Sequence, residues 1–337
     1  MKMTASDRAT LLAILDRFSD QRIVLLGDLV ADEFVYGEIA RVSREAPVLI
    51  LKQREKQIVP GGGANAANNL ADLGAQVLPV GTVGEDEAGE ALVRYFQQKD
   101  VPTRHILRLR GYPTPTKSRI LGGLAHWQRQ QIVRVDREPT QPLARPLRRR
   151  LSKKVEPLLR EASALLVSDY GYGSTDAQEV EFLRRRVIRR SLPVTVDSRF
   201  DLLSYSRVTA ATPNEPEIEE AFGQKIGNNL ELLHRLGRKL LRRQSLHALL
   251  VTRGRDGMVL FEPRREPRHL PIFGSDQAVD VTGAGDTVIA VFTLALAAGG
   301  NFFDAAQLAN CAAGLVVMKR GTATVTSREL KEAIRNA

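Results

Sequence analysis

Asp280, Gly283, Gly285 and Asp286 fall within DVTGAGD, which passes directly into the apolar run TVIAVFTLALAAG. Glycines on both sides of Ala284 remove the Cβ atoms there, so peptide N–H groups at a helix start can approach a ligand closely. Phosphate is the anion that such a terminus favours. Asp286, in the first turn, stands where a base must be to take a proton from a hydroxyl attacking that phosphate. A helix-capping Asp after a glycine turn is the competing account, and GAGD alone does not separate the two. A second glycine cluster, Gly61-Gly62-Gly63, precedes the small-residue helix ANAANNL. It lets backbone approach a substrate, and Asn65 early in that helix is a candidate for hydroxyl recognition.

Other polar residues stand at what read as strand ends. RIVLLGDLVADEFVYG gives a buried strand over Ile23 to Leu26 and a turn at Gly27-Asp28. Strand ends of a parallel sheet face ligands, so Asp28 can accept hydrogen bonds from a ligand's hydroxyls, or simply form a turn. Asn214 and Glu217, three apart in TPNEPEIEEAFG, share one face of a helix start. They can direct oxygens toward a hard cation, or act as an N-cap with an acidic first turn. Lys117 and Arg119 alternate along a strand and share a face, which suits either a phosphate or a solvated surface. His126 and Trp127 have no metal-like spacing, and the five histidines never fall into a ligand pair.

Holding these residues requires alternating strands and helices. TLLAILDRFSD reads as an amphipathic first helix, AQVLPVGTVGEDEAGEALVRYFQQKDV as a strand–turn–helix unit, and ALLVSDYGYG as a buried strand ending at Asp169. LLVTRGRDGMVLF reads as a hairpin turning at 253–257, and FDAAQLANCAAGLVVMKRG as a helix beside the Asp286 helix. Between about 32 and 60, and again between 106 and 135, short alternating stretches without helical period predict extra strands.

Taken together, DVTGAGD and PGGGANAANNLADLG resemble the two signatures of the ribokinase-like (PfkB) sugar kinases. The resemblance runs from VLLGDLVADEFVYG to GTATVTSREL, nearly the whole chain. It implies an α/β ribokinase-like fold over 1–337, with a central mostly parallel sheet flanked by helices. The strands at about 32–60 and 106–135 would form a small β-sheet lid over the sugar, through which a homodimer forms. It also implies ATP and Mg²⁺. Gly283, Ala284, Gly285 and Asp286 would serve catalysis; Asp28, Gly61, Gly62, Gly63, Asn65, Lys117 and Arg119 would bind the sugar. Asn214, Thr252, Gly254, Asn310 and Gly314 would border the nucleotide, Asn214 and Glu217 would organise Mg²⁺ through water, and Asp280 would lie near a monovalent cation, K⁺. ARVSREAPV, LLVSDYGYG and TPNEPEIEEAFG look most like the members that phosphorylate O1 of D-glycero-D-manno-heptose 7-phosphate, on the route to ADP-heptose and bacterial lipopolysaccharide. Tyr172 stands where those kinases carry lysine, and Ser198-Arg199 where they carry Pro-Lys. These departures bear on the sugar, and a ribokinase or fructokinase type acting on another sugar is the alternative. Such kinases often carry a fused nucleotidyltransferase; with the chain ending at Ala337, a separate partner enzyme is expected.

Composition narrows the classes further. A length of 337 residues with 43% hydrophobic content allows one large α/β domain. The single cysteine, Cys311, excludes an internal disulfide and fits a reducing cytoplasm. No run suggests a signal peptide or a bilayer span. A net charge of +10, with arginines at 148–150, 184–186 and 242–243, raises nucleic acid as a partner. Each cluster lies in a leucine-bearing helical segment, so a solvated helix face is the favoured reading, and no P-loop or protein-kinase motif is present.

Overall fold

The computed structural model describes residues 4–123, 130–187, 192–275 and 277–337; His126 and Trp127 lie outside them. The chain begins with α1 (Ala5–Leu15), β1 (Arg22–Gly27), β2 (Leu29–Val42), β3 (Leu49–Gly61), α2 (Gly62–Asp72), β4 (Gln76–Gly84), α3 (Glu87–Gln98) and β5 (Ile106–Leu109). It continues through β6 (Thr116–Gly123), β7 (Gln130–Arg137), α4 (Arg145–Leu158), β8 (Ala164–Asp169), α5 (Ala177–Val187), β9 (Val194–Ser198), β10 (Ala210–Ala211), α6 (Glu215–Phe222) and α7 (Leu230–Arg243). It ends with β11 (Ala248–Thr252), β12 (Met258–Phe261), β13 (Arg268–Leu270), α8 (Ala284–Ala297), α9 (Phe302–Val316) and α10 (Ser327–Arg335).

Strand residues pointing alternately to two faces explain the three-layer build. Ile23, Leu25, Leu166 and Leu250 enter one core with α1, α2, α8, α9 and α10. Val24, Leu26, Leu165, Val167, Leu249 and Val251 enter the other with α4, α5 and α7. Among the described residues the large sheet has nine strands in the order β13-β12-β11-β10-β9-β8-β1-β4-β5. Neighbours are parallel from β11 through β5, and β12 and β13 run antiparallel at the edge.

The lid is a separate four-stranded sheet, β3-β2-β6-β7. Its second segment starts at Thr116 and not at Ile106, because Ile106–Leu109 pairs with β4 and extends the large sheet instead. β2 starts one residue after β1 and carries the chain straight into the lid, so Asp32 lies beside Lys117, and Phe34 beside Arg119, on the inner strand pair.

The helix α8 is buried on every side from Asp286 to Ala295, as its uniformly apolar sequence requires. Its N-cap, Gly283, has φ 78°, a left-handed conformation that glycine adopts without strain. Among the described residues no helix is long and apolar enough to cross a membrane. The arginine clusters at 148–150 and 184–186 are largely answered locally, by Arg148–Asp176, Arg149–Glu179, Arg184–Glu181 and Arg186–Glu156 ion pairs. Among the described residues, Arg145, Arg150, Lys153 and Lys154 of α4 make no such pair and form the solvated basic face of that helix.

Candidate active site

Asp286 is 4% exposed, and each of its carboxylate oxygens accepts one hydrogen bond. Asn65 donates from Nδ2 to Oδ2 at 2.9 Å, and the Tyr170 hydroxyl donates to Oδ1 at 2.7 Å. Asn65 is itself oriented, since Asn69 donates to Asn65 Oδ1 and the Thr287 hydroxyl donates to Asn69 Oδ1. The alanines of ANAANNL let α2 sit against α8 closely enough for this chain of amides to form. Burial pushes the Asp286 carboxyl up to about 6, helped by the charge of Asp32; the Asn65 and Tyr170 donors and Lys117 pull the other way.

Two cavities meet at the start of α8. One, of about 290 Å³, is mostly apolar and lined by Thr252, Gly254, Met258, Phe273, Ala284, Asn310, Ala313 and Gly314. The other, of about 460 Å³, is polar and lined by Asp32, Gly62, Lys117, Arg119, Tyr170, Asp197, Arg199, Asn214, Glu217, Gly283 and Asp286. Gly285, Thr252 and Val281 line both. A Cβ added to Gly285 would meet nothing within 4 Å, so its hydrogen opens onto free space at the junction. Free space beside first-turn N–H groups, which lack partners within the helix, is a cradle for a phosphate that bridges the two cavities.

Not every expected residue faces that space in the expected way. Asp28 does not reach the polar cavity: it is 1% exposed, and its carboxylate accepts from the backbone N–H groups of Tyr170, Tyr172 and Ser174. The carboxylate that does line the cavity from this part of the chain is Asp32, bonded to Arg119 at 2.6 Å and to the Thr322 hydroxyl at 2.7 Å. Lys117 and Arg119 face the cavity, so the solvated-surface reading does not hold. Gly61 and Gly63 are packing glycines, where a Cβ would meet the Asp32 carboxyl at 2.7 Å and the Asp28 carbonyl at 2.8 Å; of the three, Gly62 lines the cavity.

Asn214 and Glu217 form a full capping box, Glu217 N–H donating to Asn214 Oδ1 and Asn214 N–H to Glu217 Oε2, and they line the cavity as well. The N-cap reading of this pair is thus observed, with both side chains beside the polar cavity. Asn310 donates to the Pro271 carbonyl at 2.7 Å, and a Cβ on Gly314 would strike the Phe273 carbonyl, so both residues shape the wall of the apolar cavity. Asp280 accepts from the Thr282 N–H of its own loop and from the Gly321 N–H of the loop before α10, and it lines neither of the two meeting cavities. Tyr172 turns outward, its hydroxyl donating to Glu138, and Ser198 bonds to Asp169.

Asp197 and Tyr170 carried no signal in the sequence. Asp197 is held well above the usual carboxylate range by lost hydration and by Glu217, and burial pushes Glu217 up to about 7. Two such carboxylates on one wall give a hard cation a favourable place, which their oxygen donors fit. Histidines do form one pair, His234 and His269, with ring nitrogens 2.8 Å apart. Among the described residues, no group of three or more His, Cys, Asp or Glu side chains is arranged to hold a metal ion.

The bifunctional protein HldE of Coxiella burnetii (strain RSA 331 / Henzerling II) is 39% identical over 319 residues, covering 94% of this chain and 64% of the relative. The chain thus spans less than two thirds of that protein's length. Arabidopsis thaliana ribokinase, solved with ribose and ATP, superposes with TM-score 0.70 at 20% identity, covering 94% of this chain and 98% of that one. Escherichia coli phosphofructokinase-2, solved with potassium, gives TM-score 0.72 at 15% identity with the same coverage. The fold is accordingly ribokinase-like. The pfkB family carbohydrate kinase model matches residues 21–329, and the chain belongs to that family of carbohydrate kinases.

Proposed function

We propose that the chain transfers the γ-phosphoryl group of ATP to a sugar that already carries a phosphate, most specifically to O1 of D-glycero-D-manno-heptose 7-phosphate. The adenine would occupy the apolar cavity and the γ-phosphate the junction at Gly285, with the sugar in the polar cavity under the lid. Asp286 accepts the proton of the attacking hydroxyl as the new O–P bond forms and the bond to the β-phosphate oxygen breaks, releasing ADP. Asp32 orients sugar hydroxyls, and the lid excludes water that would otherwise take the phosphoryl group. Asn214 and Glu217 would hold Mg²⁺, which when bound offsets phosphate charge. The loop closed by Asp280 is where a monovalent cation such as K⁺ would sit.

The observation that carries the choice of a phosphorylated sugar is a pair of cavity-lining cations that make no ion pair among the described residues. Lys117 lies with its ammonium 4.9 Å over the Tyr170 ring, and its pKa is lowered by burial and by Arg199. Arg199, which stands where the resembling kinases carry lysine, stacks on Phe200. Among the described residues no ion pair ties either cation, whereas Arg119 is neutralised by Asp32 and Arg134 by Asp136. An anionic substituent on the sugar would answer both.

A panel of sugars scored by ADP release tests this reading. The expected result is turnover of heptose 7-phosphate well above ribose and fructose. Arg199→Ala is expected to raise KM for the phosphorylated sugar about tenfold or more and to leave KM for ATP unchanged. Faster turnover of an unphosphorylated sugar overturns it. The same proposal places the protein in the cytoplasm, where ATP is available, and pairs two copies through the lid. Val42, Val48, Leu49, Ile132, Val133 and Val135 leave 41–58% of their surface exposed there, an apolar face that dimerisation would cover. Sedimentation showing only monomer at micromolar concentration removes the dimer.

A further inference from the structure

The Tyr170 hydroxyl lies 2.7 Å from Asp286 Oδ1, on the loop that Asp28 pins through three backbone N–H groups. We infer that Tyr170 is a positioning residue for phosphoryl transfer: its phenol holds the catalytic carboxylate in place and keeps it ionised, so that Asp286 can accept a proton at neutral pH. The inference rests on the reading of Asp286 as the base.

The geometry restricts what the phenol can do. Asn65 already fixes Oδ2, so Tyr170 supplies the second of two donors and sets the rotation of the carboxyl plane. A carboxylate oxygen has two lone-pair sites, so Oδ1 can keep the phenol and still face a sugar hydroxyl. Tyr170 stays protonated, because burial and the nearby charges of Asp286, Asp197 and Asp32 push its own pKa well up, and it acts only as a donor. The groups facing Asp286 are Asn65 from α2, Asp32 from β2, Lys117 from β6, Asp197 from β9 and Tyr170 after β8. Burial and the acidic neighbours favour the protonated carboxyl, which cannot act as a base. The two donors and Lys117 oppose them. Lys117 also packs over the Tyr170 ring, so the tyrosine positions a cation for the substrate on its face and the base at its hydroxyl.

The sign of the test follows. Removing a donor that favours the ionised form raises the pKa of Asp286 and moves the acid limb of the pH–rate profile upward. For the intact enzyme with ATP, Mg²⁺ and its sugar, the limb is expected near pH 6. In Tyr170→Phe it is expected to move up by about one unit, so kcat/KM falls roughly fivefold at pH 6 and recovers to within about twofold at pH 8.5. KM for ATP should not change, since Tyr170 does not line the apolar cavity. Site-specific 3-fluorotyrosine at position 170, a stronger donor, should move the limb downward, and it serves if Tyr170→Phe does not fold. A limb that stays in place in either variant, while Asp286→Asn is inactive, overturns the inference and leaves the base intact. An active Asp286→Asn removes the base itself, which is a different failure.

Discussion

Asp286→Asn is expected to lower kcat by roughly a hundredfold or more, with KM for ATP within about twofold of wild type. Asparagine conserves the volume of the buried site but cannot accept the hydroxyl proton, so the loss falls on the chemical step. The apolar cavity proposed for the adenine is lined by Ala284, Gly285 and Gly314 and does not include Asp286, which is why ATP affinity should persist. An Asp with an ordinary pKa is a feeble base, but the transition state of phosphoryl transfer is loose and the proton leaves late. Burial, which raises this carboxyl to about 6, improves the match to neutral pH. Turnover near wild type in the variant would refute the assignment of the base.

Asp28→Ala is expected to act on stability instead of sugar affinity. Its carboxylate accepts from three N–H groups, that of Ser174 buried and those of Tyr170 and Tyr172 part-buried, and alanine leaves all three without this partner. An orphaned buried donor costs about 1–3 kcal/mol and a part-buried one less, so a loss of about 2–4 kcal/mol is expected in urea unfolding. Relief of the carboxylate's burial and of its repulsion from Asp169, which together raise Asp28 to about 6, offsets only part of it. The loop carrying Tyr170 loosens with it, so kcat falls while KM for the sugar changes little in the fraction that folds. A stable variant with a sharply raised sugar KM would restore the direct sugar contact to Asp28.

These two carboxylates also mark where the sequence was legible. The glycines of DVTGAGD announce a helix start with open backbone, because residue type alone reports where a Cβ cannot be, and the apolar run after it can only be a buried helix. The layer order followed from alternating strands and helices. Asp28 was misplaced because Gly-Asp after an apolar strand looks like a turn, whereas β2 resumes at Leu29 and carries Asp32 into the lid four residues later. Nothing local distinguishes the two, since the donors that claim Asp28 come from residues about 140 positions away. Tyr170 and Asp197 were invisible for the same reason: their meaning lies in partners brought together across the sheet. The lid limit at Ile106 was missed because a short alternating strand looks alike in either sheet until its pairing partner is known.

The most direct measurement is a crystal structure of the Asp286→Asn protein with ATP, Mg²⁺ and heptose 7-phosphate, trapped by the loss of the base. The account predicts the γ-phosphate on the N–H groups of Gly285 and residue 286, the accepting hydroxyl within hydrogen-bond reach of the residue 286 side chain, and the sugar phosphate between Lys117 and Arg199. A triphosphate bound away from the start of α8, or a sugar hydroxyl directed at another group, would contradict it.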